Sequence, residues 1–205
     1  MFAASNQLLW SMIGLLLTMG GTFLEAYGVT LPWNWSQHGI QTLSLGVSYQ
    51  IGAVLLVGCL GGQNAAALSQ IAYLVMGLTL LPVFAEGGGI GYVRLSQFGY
   101  LLGFIPGAWI CGYLAFKARP RLETLAFSCF CGLITVHLCG IAYLIISYVL
   151  PWKGTENLSL IQAMLKYSCF ALPGQLVVVC AVTIVAYVLR PVSYTHLRAH
   201  ETGRN

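Results

Sequence analysis

A series of long apolar segments constrains the fold of this chain more than any other feature. A membrane-spanning helix needs about 20 mostly apolar residues. About six segments approach or exceed that length, namely residues 8–31, 42–60, 65–81, 97–116, 122–150 and 169–189. Only 7% of the residues are charged, against roughly a quarter in soluble domains. The sequence therefore predicts an all-α integral membrane protein with about six transmembrane helices.

The chain is predicted to form a single membrane substrate-binding domain over residues 1–192. Residues 193–205 (SYTHLRAHETGRN) are polar and mixed in charge, and are interpreted as a non-native or disordered tail outside the fold. The sequence contains no glycine-lysine-serine or glycine-lysine-threonine signature of a nucleotide-binding phosphate loop. Its basic residues are too few and too scattered for nucleic-acid binding.

Basic residues predict the orientation in the membrane. They cluster in the sequence KARPR at residues 117–121, and Arg190 follows the last apolar segment. The positive-inside rule places this side in the cytoplasm, together with both termini. The connections at residues 32–41, 82–96 and 151–168 then face outward. We expect a multi-pass protein of a bacterial-type cell membrane.

The outer segment at residues 82–106 (PVFAEGGGIGYVRLSQFGYLLGFIP) breaks the apolar pattern and predicts one wall of a ligand site. Gly88 and Gly89 are expected to let the backbone approach a ligand closely, although a flexible outer loop is the alternative. No strand pattern surrounds these glycines, which argues against a phosphate loop. Glu86 and Arg94 flank them. The Arg94 guanidinium is suited to hold a carboxylate, or else extends to lipid headgroups.

Other polar side chains carry weaker predictions. Gln41 and Thr42, at the start of the second apolar segment, are expected to hydrogen-bond a polar ring or to cap a helix. Lys153 and Lys166 are interpreted as interfacial anchors. His137 is alone in an apolar segment and is interpreted as a packed core residue.

Aromatic residues in the first outer connection are interpreted as further anchors at the membrane boundary. Trp33 and Trp35 lie two positions apart there, and tryptophan is enriched at both membrane–water interfaces. We therefore expect contact with membrane lipid at this connection.

Small residues on the first segment indicate a face for close helix packing. Ser11, Gly14 and Thr18 are spaced by three and four residues, which places them on one side of a helix. Such a face can dock a separate membrane subunit or pack inside the protein. The docking interpretation makes these three residues candidates for partner contact.

The seven cysteines all lie in apolar segments and are interpreted as small packing residues that stay reduced. Cys129 and Cys131 form a C-x-C pair, but side chains two residues apart on a helix point away from each other. We therefore predict neither a metal site nor a cofactor.

Several motifs occur in an order that resembles one transporter family. LPVFAEGGG and FGYLLGFIPGAW resemble LPVFAGG and GGYLLGFP of the BioY family, the biotin-binding substrate-capture (S) components of energy-coupling-factor transporters. GIQTLSLGVSYQIGAVLLVG resembles the second helix of that family, GIAYL resembles its GVLWL, and FALPGQL resembles its PFLPGDL. The similarity extends from about residue 32 to residue 190.

The resemblance implies a six-helix protein that captures biotin from outside the cell. It also implies a transmembrane scaffold protein and two cytoplasmic ATPases as partners, with ATP hydrolysis in those partners only. The chain itself would then be a transporter subunit and not an enzyme, and homo-oligomer formation is left open. Alternatives are a subunit for a different small carboxylate vitamin or precursor, and a non-transport membrane scaffold protein. An intramembrane enzyme would need a nucleophile–base pair or a metal cluster, which the sequence does not display.

Two positions depart from the family pattern. The family motif PGDLLK has an acidic residue and a lysine where this chain has Gln175 and Val178. Gln175 can still donate and accept hydrogen bonds to a ureido group, whereas Val178 cannot replace a cation. We therefore expect Arg94 to hold the ligand carboxylate, with Lys153 as the second candidate. The remaining predicted substrate contacts are Glu86, Gln41, Thr42, Tyr100, Gln175, Gly88 and Gly89.

Overall fold

The protein is described here by a computed structural model that covers residues 2–29, 39, 41–150 and 159–202, with side chains described for residues 5–29, 39, 41–150 and 159–190. It is mostly helical (78%). Within the described part, four helical stretches are long and apolar enough to cross a membrane. The helices are α1 (Phe2–Phe23), α2 (Gln50–Thr79), α3 (Phe98–Lys117), α4 (Leu122–Val149), α5 (Leu160–Met164) and α6 (Leu172–Thr202), with a 3₁₀ turn at Ile90–Arg94 and a π-helical turn at Leu165–Cys169.

Helix α2 folds back on itself at Gly62. The backbone there has φ 81° and ψ 174°, which is not helical. The Gln50 side-chain amide donates to the Tyr73 hydroxyl at 2.9 Å, although 23 residues of straight helix would separate them by about 34 Å. The two arms, residues 50–61 and 63–79, therefore lie side by side. This geometry agrees with the sequence, in which the short segment GGQN at residues 61–64 separates the predicted apolar segments 42–60 and 65–81 and predicts a turn.

A two-stranded antiparallel sheet corrects the all-α prediction. Strand β1 (Glu25–Val29) pairs with β2 (Thr42–Ser48), and Tyr27 lies opposite Ser44. The residues of β2 alternate between polar and apolar, TLSLGVS, which is the period of a strand and not of a helix. The first predicted helix therefore ends at Phe23, and the second begins at Gln50 and not at residue 42.

The carboxylate of Glu25 ties the two strands together. It accepts hydrogen bonds from the Ser44 hydroxyl and, at 2.9 Å, from the Tyr27 hydroxyl. These donors favour the ionised form and hold the pKa of Glu25 below its ordinary value of 4.5. The resulting stabilisation is present above that value and is lost as pH falls through the lower pKa of the folded state.

The small-residue face of α1 packs inside the protein, against α2. Ser11 is buried and its hydroxyl donates to the Ala65 carbonyl at 3.1 Å. A Cβ at Gly14 would lie 2.8 Å from the Ser69 side chain. Buried Thr18 accepts a hydrogen bond from Gln70 at 3.1 Å. A docking role for Ser11, Gly14 and Thr18 would require α1 to separate from α2.

Helices α3 and α4 meet at a pair of glycines. A Cβ at Gly107 would lie 2.9 Å from the carbonyl oxygen of Gly132, and a Cβ at Gly132 would lie equally close to the carbonyl of Gly107. Without a hydrophobic driving force between helices in lipid, such close backbone contact supplies much of the packing attraction. The α3–α4 contact fixes the relative position of two of the helices that line the cavity described below.

Replacing Gly62 with alanine is expected to destabilise the protein by about 1–3 kcal/mol, because an L side chain is strained in this backbone region. The measurement is the thermal unfolding of purified protein in detergent. The matched control is Gly20→Ala in α1, where a Cβ meets no atom within 4 Å. That substitution should be neutral or slightly stabilising, since alanine favours helix. Equal unfolding temperatures for both variants would contradict the fold-back at Gly62.

Candidate functional site

A cavity of about 310 Å³ lies where the helices meet the β-hairpin. Ligand pockets for small molecules start at about this size. The wall combines strand β2, the outer loop, the π-helical turn and four helices, namely α2, α3, α4 and α6. Its residues are Gly46, Val47, Ser48, Gln50, Ile51, Ala85, Tyr92, Gln97, Tyr100, Leu101, Phe104, Val136, Lys166, Tyr167, Ala171 and Gln175.

A hydrogen-bond network of polar side chains connects α3, α4, the π-helical turn and α6 at the cavity. The Tyr100 hydroxyl lies 2.7 Å from the Ser168 hydroxyl, which lies 3.1 Å from Nδ1 of His137. Nε2 of His137 lies 2.7 Å from Oε1 of Gln175. Since Oε1 is an acceptor, Nε2 carries the proton and Nδ1 accepts from Ser168. This network fixes Tyr100 and Gln175, the two predicted substrate residues that do line the cavity.

The π-helical turn at Leu165–Cys169 brings three consecutive residues to the site. Lys166 and Tyr167 line the cavity, while Ser168 is buried and completes the hydrogen-bond chain. A π turn is wider than an α turn and occurs often at functional sites. Because a π turn has more residues per turn than an α turn, successive side chains are rotated by a smaller angle and lie closer together around the axis.

Lys166 places a cation at the cavity wall. Its ammonium group donates to the Tyr167 hydroxyl at 3.1 Å and lies 4.7 Å from the centre of that ring. The sequence favoured a lipid-anchoring role for this lysine. Lys166 is directly followed by Tyr167 and Ser168, but the sequence does not reveal the π turn that brings these residues to the cavity.

Gln97 supplies a polar group that sequence reasoning missed. Its side-chain nitrogen is buried and makes no hydrogen bond within the described residues, and the residue lines the cavity. Burying an amide without a partner is costly. A ligand acceptor would satisfy this donor. The sequence signal was present, since a glutamine directly precedes the apolar helix α3.

The glycines of the outer loop hold the loop against α2 and are not among the residues that line the cavity. Gly87 and Gly89 have φ values of 110° and 91°, which favour glycine. The Gly89 amide donates to the Gly77 carbonyl of α2 at 2.8 Å. A Cβ at Gly88 would lie 2.7 Å from that same carbonyl oxygen. The loop is therefore fastened to α2.

The aromatic residues of this loop complete the wall. The Phe84 ring lies 4.5 Å from the Tyr92 ring in a tilted arrangement and 5.3 Å from the Tyr73 ring edge-to-face. The Tyr73 hydroxyl donates to the Val83 carbonyl at 3.0 Å. Burial raises the pKa of Tyr92, which lies outside the helices, above its ordinary value. Tyr92 therefore stays neutral and presents an apolar ring to the cavity.

Most of the predicted substrate residues do not line the cavity. Arg94 ends the 3₁₀ turn with an exposed side chain. Exposed Glu86 lies in the loop, and Thr42 pairs with Val29 in the hairpin. The predicted residues outside the lining are Arg94, Glu86, Gln41, Thr42, Gly88 and Gly89. Trp33, Trp35 and Lys153 lie outside the described residues.

Val178 is buried in apolar packing, as its departure from the family lysine implies. It is 2% exposed, and a Cβ at Gly52 would lie 2.8 Å from its methyl group. This position contributes to the contact between α6 and α2. A positively charged side chain at the cavity must therefore come from a different position in the fold.

These features define a multi-pass membrane protein with a cavity for a small ligand at one end of its helical bundle. The chain belongs to the BioY family, whose model matches residues 8–194. This confirms the resemblance seen in the sequence motifs. The family is one of transporter proteins and is not a class of enzymes.

Individual relatives and a solved structure agree with this assignment. An uncharacterised 21.2 kDa protein of Cyanophora paradoxa is 26% identical, over 90% of this chain and 95% of the relative. A probable biotin transporter BioY of Lysinibacillus sphaericus is 38% identical, over 48% of this chain and 50% of the relative. The crystal structure of an S-component for biotin from an ECF-type ABC transporter has the same fold, with a TM-score of 0.64 and 16% identity over 92% of this chain and 90% of that one.

Replacing Ser168 with alanine is expected to destabilise the protein by about 1–3 kcal/mol, because the Tyr100 hydroxyl and Nδ1 of His137 would lose a buried partner. Thermal unfolding in detergent measures this. The control is Ser147→Ala, since the Ser147 hydroxyl donates to the carbonyl of Leu144 in its own helix and to no other group among the described residues. If both variants unfold like the parent protein, the network does not hold the cavity together.

Proposed function

We propose that the protein captures biotin at the outer face of the cell membrane, as the substrate-binding subunit of an energy-coupling-factor importer. The observation that carries the proposal is the cavity, which combines a cation, partly buried side-chain amides and aromatic rings in a chain of the BioY family. Biotin offers a carboxylate, a ureido ring and an apolar linker, so each kind of wall residue has a matching group.

Within the cavity, we assign the ligand carboxylate to Lys166. It is the only lysine or arginine among the described lining residues, and Arg94 is not one of them. The ureido ring offers a carbonyl acceptor and two N–H donors. Gln97 can donate to the carbonyl, and Gln175 can contribute its remaining hydrogen-bonding capacity.

The position of the cavity along α3 supports an outward opening. Tyr100 and Phe104 line it near the start of the helix, and Lys117 ends the helix. A helix of this length extends about 30 Å, so the cavity and the basic cluster lie at opposite ends. If the basic end is cytoplasmic, the cavity faces outward. We propose in addition that the chain crosses the membrane six times and that both termini lie in the cytoplasm.

Transport then requires partners that convert binding into movement. A transmembrane scaffold protein and two ATPases would supply the free energy, since the chain has no nucleotide-binding motif. Binding of biotin shifts the population among conformations by its differential affinity for them. ATP hydrolysis in the partners drives release into the cytoplasm.

Replacing Lys166 with methionine is expected to weaken biotin binding by about 10- to 100-fold, because a charge-assisted hydrogen bond contributes about 1.5–3 kcal/mol. Isothermal titration calorimetry on the purified protein measures the affinity. Arg94→Met is the matched control and should bind like the parent. Loss of binding in the Arg94 variant alone would restore the sequence-based assignment and contradict the role of Lys166.

Biotin methyl ester separates the carboxylate from the rest of the ligand. It lacks the negative charge, so Lys166→Met should change its affinity little. If neither biotin nor the ester binds to the parent protein, while another small carboxylate vitamin does, the substrate is that vitamin and the cavity keeps its role. Failure of all such ligands would favour a non-transport membrane protein.

Replacing Gln97 with leucine is expected to weaken both biotin and its methyl ester by a similar factor, about 5- to 10-fold for one neutral hydrogen bond. The reason is that the ureido carbonyl would lose its donor in either ligand. The comparison of the two ligands by calorimetry checks it. A loss confined to free biotin would show instead that Gln97 contacts the carboxylate.

A further inference from the structure

Three cysteines from three different helices meet in the core of the protein. They are Cys59 of α2, Cys111 of α3 and Cys129 of α4, and each side chain is completely buried. The sulfur of Cys59 lies 3.8 Å from that of Cys111 and 3.4 Å from that of Cys129. All three sulfur atoms lie within 4.8 Å of one another.

This spacing is close to that of sulfur ligands on one metal ion. With metal–sulfur bonds of about 2.3 Å, three sulfurs in a trigonal plane lie about 4 Å apart. Small shifts of the three side chains would reach this geometry. The helices can approach so closely because a glycine faces the cluster, and a Cβ at Gly58 would lie 3.1 Å from the Cys111 sulfur.

A buried positive charge is associated with the cluster. Arg190 of α6 is 2% exposed, and its Nε and Nη1 groups make no hydrogen bond within the described residues. Its guanidinium lies 4.2 Å above the ring of Phe116, which follows Cys111 by five residues on α3. An uncompensated buried cation is unfavourable, so a negative group nearby would stabilise it.

We propose that Cys59, Cys111 and Cys129 form a binding site for a single Cu(I) ion. Soft thiolate ligands select Cu(I) and Zn²⁺ among the common metals. Zinc is almost always bound by four ligands in structural sites. Among the described histidine, cysteine, aspartate and glutamate residues, only these three sulfurs come together here, and a three-sulfur site suits Cu(I).

The charges balance when two of the three thiols ionise. Two thiolates, one neutral thiol and Cu(I) carry a net charge of −1, which the +1 charge of Arg190 offsets. Binding releases two protons to the solvent and changes no oxidation state, because the ion arrives and remains as Cu(I). Metal binding to cysteines generally releases protons in this way.

The metal site is separate from the ligand cavity. Cys59 lies eight residues beyond Ile51, a residue of the cavity wall, on the first arm of α2. At 1.5 Å per residue this is about 12 Å. The ion would join α2, α3 and α4 at one point and stabilise their packing without contacting the ligand.

The test compares two purified variants that divide the cysteines between them. The first keeps only the cluster, with Cys131, Cys139, Cys169 and Cys180 replaced by serine. The second keeps those four and replaces the cluster residues with alanine. Each is titrated anaerobically with Cu(I) against a chromogenic Cu(I) chelator. The cluster-only variant should bind about one Cu(I) per chain more tightly than the chelator, and the second variant should not.

X-ray absorption at the copper edge should then show sulfur ligands at about 2.2–2.3 Å, a distance near that of other metal–thiolate bonds. If the variant with all three cluster residues replaced does not fold, the single variants Cys59→Ser, Cys111→Ser and Cys129→Ser take its place. Each should lose at least tenfold in Cu(I) affinity, while Cys131→Ser should not. Failure of the cluster-only protein to compete with the chelator, or preferential binding of Zn²⁺, would overturn the proposal.

Discussion

The absence of water in the hydrocarbon core of a membrane is the constraint on which this structure depends. Every backbone polar group at that depth needs a partner within the protein. Helices meet this requirement along their lengths, and non-helical backbone must be covered by other elements. The hairpin, the glycine-rich loop and the π-helical turn are all found at the cavity end of the bundle. Irregular backbone and the ligand site therefore occupy the same region.

The same constraint explains why several polar side chains in the core are joined in hydrogen-bond networks. Tyr73 receives a hydrogen bond from Gln50 and donates one to the Val83 carbonyl. In this way one tyrosine connects both arms of α2 to the outer loop. Tyr100, Ser168, His137 and Gln175 make a second such network. Shape and polarity in the cavity are thus set by groups that also stabilise the helix packing.

Much of the fold could be predicted from the sequence because apolar length is a strong signal for membrane helices. Three of the predicted segments agree with α3, α4 and α6 to within a few residues at most ends, and the turn at Gly62 was also predicted. The hairpin was missed because the alternating pattern of β2 adjoins an apolar helix, and the two were read as one segment. Family membership could be predicted because several short motifs occur in the same order as in the family, and such motifs can be recognised even when overall sequence identity is low.

The candidate site was less predictable, because it depends on which side chains converge across distant parts of the chain. Tyr100 and Gln175 were identified, whereas Gln97 and Lys166 were not. Arg94 was favoured because it follows the glycines, but proximity in sequence to a loop does not give the direction of a side chain. Likewise, no spacing rule connects Cys59, Cys111 and Cys129, which are 52 and 18 residues apart and meet only through the packing of three helices.

The π-helical turn at Leu165–Cys169 has a consequence for how related sequences should be compared. A π turn amounts to one residue inserted into an α-helix, and each residue of an α-helix rotates the chain by about 100°. A homologue without the insertion would present a different side of α6 to its neighbours unless a compensating change occurred elsewhere. An alignment across this region therefore needs a single-residue gap between Leu165 and Cys169 wherever the turn is absent. Placed on the wrong side of the turn, that gap would match Lys166 with a residue that points away from the cavity.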